Sequence, residues 1–156
     1  MPQSDAFSGG CQCGAVRYRI TKAGQASACH CRMCQKATGG LFGVFVSGLE
    51  FSWTRGAPTF FASSDQVERG FCSQCGTPLV YKSAKYTEFT LGSLDHPKTV
   101  KIELQVNPAH QHPQSADLSA IPSWPDEKQA ERDAVYATYA NHQHPDHDTS
   151  VWPQKQ

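Results

Sequence analysis

The sequence predicts a mostly β fold, with a small antiparallel domain over residues 1–125 and a helical or irregular tail over residues 126–156. Three observations support this prediction. About seven short segments have the alternating or β-branched character of strands, and Gly or Pro residues separate them. All seven cysteines lie at or before residue 75. From Asn107 onward the chain becomes rich in Pro, His and Ser, which indicates that the sheet ends there.

The charge balance and the hydropathy pattern exclude several functions. The chain has 14 basic and 14 acidic residues, so it offers no basic surface to nucleic acid or to anionic lipid. Its longest apolar run, residues 41–46, is too short to span a bilayer. The first ten residues lack the positive region and apolar core of a secretory signal. We therefore expect no nucleic-acid or membrane partner, and a cytoplasmic location.

The first predicted strand covers residues 15–20 and leaves directly from a pair of cysteines. Its sequence, AVRYRI, alternates apolar and basic residues, as expected for a half-buried strand. Side chains repeat every two residues in extended backbone, so Cys11 and Cys13 are expected to point the same way. Residues 22–28 are then predicted to form a short loop.

Further strands are predicted through the middle of the chain. Residues 41–46 and 50–53 form two strands or one bent strand, with Gly43 marking a bulge or a close approach. Residues 59–62 and 66–71 form a hairpin across a turn of Ser and Asp residues. The remaining strands are predicted at residues 77–82, 86–91 and 99–106.

The C-terminal third is predicted to contain a single helix. Residues 107–125 read as a loop that wraps back over the sheet. Ser123 has the position of a helix cap, and a helix with a weak apolar stripe is predicted over residues 126–141. Residues 142–156 are polar and contain proline, which predicts that they fray.

Four cysteines form two close pairs, and each pair is followed by a glycine: Cys11 with Cys13, and Cys72 with Cys75. Four thiolates on tight turns are typical of a closed tetrahedral zinc site. An odd total of seven cysteines argues against a disulfide framework. An iron–sulfur cluster or buried free thiols are the alternatives. The spacing predicts a structural zinc that joins the first strand to a later hairpin.

The other three cysteines, Cys29, Cys31 and Cys34, predict a second zinc with one coordination position open. An open position distinguishes catalytic from structural zinc. Three thiolates make the centre negative and a poor Lewis acid, which favours binding a fourth thiol over activating water. A zinc-hydroxide hydrolase is the competing interpretation. His30 alternates with its flanking cysteines, so we expect it to point away. Further histidines that could complete the site are His96, His110 and His112.

Three motifs together resemble the glutathione-dependent formaldehyde-activating enzyme family, also described as centromere protein V-like. They are GGCQCGAVR at residues 9–17, CHCRMCQK at 29–36 and FCSQCG at 71–76, and the resemblance covers roughly residues 7 to 125. GSLD at residues 92–95 also matches, whereas His96 stands where the family usually has a second Asp.

The resemblance implies an antiparallel-β fold with two zinc ions per chain, a structural one on the four paired cysteines and an active-site one on the other three. It also implies a carbon–sulfur lyase activity that joins glutathione and formaldehyde. Glutathione carries two carboxylates, so cationic anchors are expected. Arg32, Lys36 and Arg69 are candidates because they lie near the motifs, and solvated surface charge is the alternative for each. The alternative for the whole chain is a non-catalytic zinc-binding module for a protein or small-molecule ligand.

Overall fold

Eight strands form one sheet in the computed structural model, which describes residues 6–152. The strands are β1 (Phe7–Gly10), β2 (Arg17–Cys29), β3 (Gly43–Arg55), β4 (Thr59–Ala62), β5 (Val67–Phe71), β6 (Pro78–Ser83), β7 (Thr87–Thr90) and β8 (Leu104–Val106). Their order is β1-β2-β3-β7-β6-β5-β4, and the pairings along this path are antiparallel. Strand β8 pairs with β2 in parallel. The predicted mostly β, antiparallel fold is therefore confirmed.

Two long strands form the centre of the sheet and differ from the prediction. Strand β2 runs for 13 residues, so the loop predicted at residues 22–28 is wrong. Its pairing with β3 is irregular between Ile20 and Ala26, and these bulges disturb the alternation that would have marked a strand. Residues 43–55 form a single strand, which decides between the two predicted alternatives.

The later strands follow the prediction more closely, with one exception. Strands β4 and β5 form the predicted hairpin, and β6 and β7 lie within a few residues of their predicted positions. The strand predicted over residues 99–106 is limited to Leu104–Val106. Residues 101–105 are exposed on both of their alternating faces, so no core surface holds the first part of this segment in the sheet.

Two α-helices occur in the described part of the chain, α1 (Arg32–Thr38) and α2 (Asp126–Tyr136). The prediction missed α1, which lies within the second cysteine motif. The prediction for α2 extended too far, and its cap at Ser123 is wrong, because Pro125 precedes the first turn. Between residues 6 and 152 no helix has the length and apolar character needed to cross a membrane.

The main core packs around Tyr18 and Ile20 in the first part of β2 and extends to Cys11 and Cys72 of the first cysteine group. Tyr18 and Phe89 are fully buried with ring centroids 4.4 Å apart, and the Tyr18 hydroxyl lies 2.7 Å from Ser93 Oγ. A smaller cluster at the far end of β2 contains Cys29, Cys34 and Phe45. Because Cys11 and Cys13 precede β2 while Cys29 ends it, the strand separates the two groups of cysteines.

The C-terminal segment 144–152 docks on the domain, so the fraying predicted from residue 142 onward is wrong for this part. His144 is buried, and its backbone N–H donates to the Gln12 carbonyl at 2.7 Å. Trp152 Nε1 donates to the Cys13 carbonyl at 2.8 Å. Residues 153–156 of that prediction lie outside the described residues. The segment covers the turn that carries the first cysteine pair, and we call it the C-terminal strap.

Candidate metal centres

The first cysteine group has the geometry of a tetrahedral four-sulfur site. The Sγ atoms of Cys11, Cys13, Cys72 and Cys75 all lie within 4.8 Å of one another. Cys13 Sγ is 3.6 Å from Cys11 Sγ and 3.8 Å from Cys72 Sγ. Four sulfurs about 2.3 Å from a zinc ion stand about 3.8 Å apart, so the four residues fit zinc.

Two similar turns present these sulfurs. In one, the Gly14 N–H donates to the Cys11 carbonyl at 3.0 Å, and in the other the Gly76 N–H donates to the Cys72 carbonyl at 2.8 Å. Both glycines have positive φ, +79° and +78°, which a residue with a Cβ adopts only at a cost. In each turn a backbone N–H also donates to the first sulfur, at 3.2 and 3.4 Å. The turns therefore orient the sulfurs and stabilise their negative charge.

Two thiols of this first group, Cys13 and Cys75, have widely different pKa values before a metal binds. Burial raises the pKa of Cys13 to about 12. Burial also acts to raise the pKa of Cys75, but hydrogen bonds with Thr77 outweigh it and bring that pKa to about 6. Zinc coordinates thiolates, so binding here displaces protons and weakens as the pH falls.

The second cysteine group contains three sulfurs. The Sγ atoms of Cys29, Cys31 and Cys34 also lie within 4.8 Å of one another. Cys29 ends β2, Cys31 caps the N-terminus of α1 by accepting from the Cys34 N–H at 3.4 Å, and Cys34 projects from the first turn of α1. Gly39 ends the helix with φ +71°. The short helix is thus what brings the third sulfur back to the other two.

Histidines do not complete this second group among the described residues. His30 is buried and turned away from the sulfurs, with its Nε2 2.9 Å from Gln105 Oε1 and its ring against Phe42. The other candidates His96, His110 and His112 are exposed. The arrangement leaves three sulfur ligands and room for a fourth ligand from solution.

Arg69 is the charged residue that the structure places against the three cysteines. It is only 8% exposed, so the alternative of a solvated surface charge is wrong for this residue. Its Nη2 donates to Cys34 Sγ at 3.5 Å, and its guanidinium carbon lies 4.7 Å from the centre of the Tyr81 ring. Its Nε and Nη1 are buried without a hydrogen-bond partner. A permanent cation therefore faces the cysteines with two donors unused.

The other two predicted anchors, Arg32 and Lys36, lie on the exposed surface of α1. Arg32 makes a long contact of 3.4 Å with Gln35 on the same helix. Lys36 borders a cavity of about 510 Å³ that Arg69 also lines. The structure thus brings one of the three predicted anchors to the cysteines and leaves the other two farther out.

Two thiols of the second group, Cys31 and Cys34, differ in pKa. Burial acts to raise the pKa of Cys31, but hydrogen bonds from the Cys34 backbone and neighbouring thiols, with the charge of Arg69, lower it overall. Burial raises the pKa of Cys34 to about 12 even though Arg69 acts in the opposite direction. Cys31 therefore ionises more easily than Cys34.

A cavity of about 480 Å³ opens beside the three cysteines. Sequence reasoning missed several residues that line it, among them Tyr81, Glu88 and Asn107. Asn107 has φ +54°, and its Nδ2 lies 3.8 Å from Cys29 Sγ. Strand pairing positions Tyr81 and Glu88, and a left-handed backbone conformation positions Asn107. Neither feature appears as a motif of fixed residue spacing in the sequence.

A cavity of about 440 Å³ also touches the first cysteine group, at Cys11 and Cys75. The two groups nevertheless differ in what they offer a ligand. Four thiolates complete a tetrahedral zinc, whereas three leave one position for a ligand from the cavity. The geometry therefore suits the first group to a structural role and the second to binding or catalysis.

Comparisons with known proteins agree with this arrangement. A family model described as glutathione-dependent formaldehyde-activating enzyme matches residues 6–109, which include both cysteine groups. A protein of Halomonas elongata, whose provisional name is the same enzyme, is 28% identical over 159 residues, covering 94% of this chain and 93% of its own length. The C-terminal strap lies beyond the matched family region. The matched region spans more than half of the chain, which therefore belongs to the glutathione-dependent formaldehyde-activating enzyme family.

Proposed function

We propose that this chain is a zinc-dependent enzyme of the carbon–sulfur lyase type that acts on a glutathione-like thiol and a small aldehyde such as formaldehyde. The observation that carries the proposal is the three-cysteine group, one ligand short of a tetrahedral site, beside a cavity of about 480 Å³. The family relationship supports the choice of glutathione and formaldehyde. The seven cysteines form no disulfides, which is consistent with a reducing compartment such as the cytoplasm.

Each cysteine group would hold one zinc ion. When bound by Cys29, Cys31 and Cys34, zinc supplies an open position that takes the substrate thiol as a thiolate. The other four cysteines would hold a structural ion that fixes the start of β2 against the turn after β5. The separation of the two groups along β2 means that the reactive site can exchange ligands without loosening the structural one.

Arg69 would balance the charge of the reactive group. Three thiolates with one zinc ion carry a net negative charge, and a substrate thiolate adds another. The guanidinium 3.5 Å from Cys34 Sγ offsets part of this charge in a poorly solvated site. Its unused Nε and Nη1 donors make it the strongest candidate anchor for a substrate carboxylate. Lys36 and Arg32 would serve as outer anchors for the second carboxylate of glutathione.

The reaction requires proximity of thiol and aldehyde, an activated sulfur, and a proton for the product oxygen. The thiolate sulfur attacks the aldehyde carbon, a carbon–sulfur bond forms, and the former carbonyl oxygen takes up a proton. The product is a hemithioacetal, which for formaldehyde is the S-hydroxymethyl derivative of the thiol. Running the steps backwards releases the aldehyde, which is the lyase direction.

A titration of the zinc-loaded chain with glutathione tests the proposal. We expect glutathione to change the metal coordination at one of two zinc sites, as X-ray absorption would show, and to accelerate formaldehyde consumption. Cys31→Ser should leave a folded protein with one zinc and no response to glutathione. Cys72→Ser should unfold the domain, because structural zinc is coupled to folding.

Two results would contradict the proposal. If both cysteine variants unfold, the division into structural and reactive sites is wrong. If the wild type holds two zinc ions but glutathione and other thiols leave both unchanged, the chain acts as a zinc-binding module and not as this enzyme.

A further inference from the structure

Four side chains on neighbouring strands form a row across the floor of the cysteine cavity. Ser47 on β3 pairs with Glu88 on β7, and Glu88 pairs with Tyr81 on β6. Tyr81 pairs in turn with Arg69 on β5. Directly paired residues project to the same face of a sheet. All four line the cavity of about 480 Å³ that also contains the three cysteines.

Glu88 is the one carboxyl group among the described residues that line this cavity. Its Oε1 accepts from Ser47 Oγ at 3.5 Å. Burial raises its pKa above the usual value for glutamate, although Ser47 and the charge of Arg69 act in the opposite direction. The other charged or titratable groups facing it across the cavity are Arg69, Tyr81, Tyr86 and the three cysteine thiols. A carboxyl whose pKa is raised by burial takes up a proton more readily than a solvated one, which suits it to acid–base catalysis.

We propose that Glu88 carries the proton of the reaction, taking it from the substrate thiol and giving it to the aldehyde oxygen. This inference rests on the proposed function. The proton of the thiol S–H passes to the Glu88 carboxylate as the sulfur binds. The sulfur electron pair then forms the carbon–sulfur bond, and the π electrons of the carbonyl move to its oxygen. That oxygen takes the proton from Glu88, which returns to carboxylate, so no oxidant, reductant or external proton is consumed.

The other polar groups of the row are poorly suited to this role. The guanidinium of Arg69 offers N–H donors and no acceptor atom for a proton. Burial raises the pKa of Tyr81, so its phenol stays protonated and cannot accept the thiol proton. A thiolate added to the cavity raises the pKa of a nearby carboxyl, because like charges disfavour the ionised form. Binding of the thiol therefore drives its own proton onto Glu88.

The experiment counts the protons released when glutathione binds to the zinc-loaded full chain near pH 7. Calorimetry in two buffers of different ionisation enthalpy gives this number. The wild type should release close to none, because Glu88 keeps the thiol proton, whereas Glu88→Gln should release about one per thiol bound, since the free thiol is protonated at this pH. Glu88→Gln should also lower kcat by about a hundredfold or more.

Glu68→Gln is the matched control. Glu68 lies on β5, outside the cavity, where it pairs with Lys82 at 2.9 Å. Its replacement should leave the proton count and kcat at wild-type values. Glu88→Asp keeps a carboxyl in the cavity and should retain the wild-type proton count with a reduced rate.

The possible failures are distinguishable. If the wild type binds no glutathione, the proposed function and this inference both fall. If the wild type binds and converts glutathione but Glu88→Gln releases the same number of protons, only the role of Glu88 is refuted. Should Glu88→Gln not fold, infrared difference spectra of ¹³C-glutamate-labelled wild type replace it. A protonated carboxyl must then appear on glutathione binding, and its absence overturns the inference.

Discussion

Replacement of Asp95 with Asn should destabilise the fold strongly, because Asp95 forms a buried ion pair with Arg17. Arg17 donates from Nη1 and Nη2 to the two carboxylate oxygens, each at 2.7 Å. Ser8 Oγ donates to Oδ2 at 2.6 Å. The two charged side chains are only 3% and 4% exposed. The pair joins the start of β2 to the segment after β7 and, through Asp148, to the C-terminal strap.

The expected loss follows from what remains when the carboxylate charge is removed. Truncating one partner of a buried pair costs about 3–5 kcal/mol, because the other charge stays buried without compensation. Asp148 still accepts from Arg17, but its side chain is 49% exposed and compensates only in part. We therefore expect a loss of about 3 kcal/mol in the free energy of unfolding, at the lower end of that range. A domain with a total stability of about 5–15 kcal/mol would lose a large fraction of it.

Urea unfolding of the zinc-loaded protein measures this loss. The free zinc concentration must be held constant, because a bound metal adds to the apparent stability. The matched control is Glu50→Gln, which disrupts an exposed pair with Lys22 at 3.7 Å whose side chains are more than 60% exposed. This control should change the stability by less than about 1 kcal/mol. If Asp95→Asn lowers the free energy of unfolding by no more than Glu50→Gln does, burial does not make the Arg17–Asp95 pair a strong stabilising contact, and the reasoning is refuted.

Three further predictions concern pH, backbone and metal. Burial acts to raise the pKa of Asp95, but Arg17 and Ser8 lower it overall. The ionised Asp95 therefore stabilises the fold above its unfolded pKa, and this contribution is lost as the pH falls below about 4. When the pH is lowered through this range, the urea midpoint should fall less in Asp95→Asn than in the wild type. Equal falls in the two proteins would contradict this prediction. Gly14→Ala should lower the melting temperature more than Gly39→Ala, because both glycines have positive φ but only the former would collide with the His144 ring; equal losses would mean that this contact is unimportant. A zinc chelator should abolish the β-sheet circular dichroism signal, and full retention of that signal would exclude a structural metal.

Local features of the sequence were enough to identify the cysteine groups. The cysteine pair closed by Gly76 was predicted to form a turn that points both sulfurs inward, and the structure has this turn. Cys11 and Cys13 were expected on extended backbone, but they also lie on a turn, which the Gly14 N–H closes. These geometries depend on a few neighbouring residues. The same holds for the β4–β5 hairpin and for the antiparallel class, since alternation and turn residues are read within short windows. The sequence by itself therefore determined the fold class and the candidate metal ligands.

Only the tertiary structure decided what surrounds those ligands. The burial of Arg69 beside Cys34 and the position of Glu88 in the same cavity follow from the register of four strands, which pairs residues distant in the chain. The bulges in β2 hid a continuous strand. The C-terminal strap was predicted to fray because it is polar and contains proline, whereas its partner, the buried Arg17, lies more than 100 residues earlier in the chain. Which distant strands pair, and which residues they bury, depends on the packing of the whole sheet, so a short sequence window does not determine it. The sequence thus located the sulfur atoms, and the fold placed the charges and the proton donor around them.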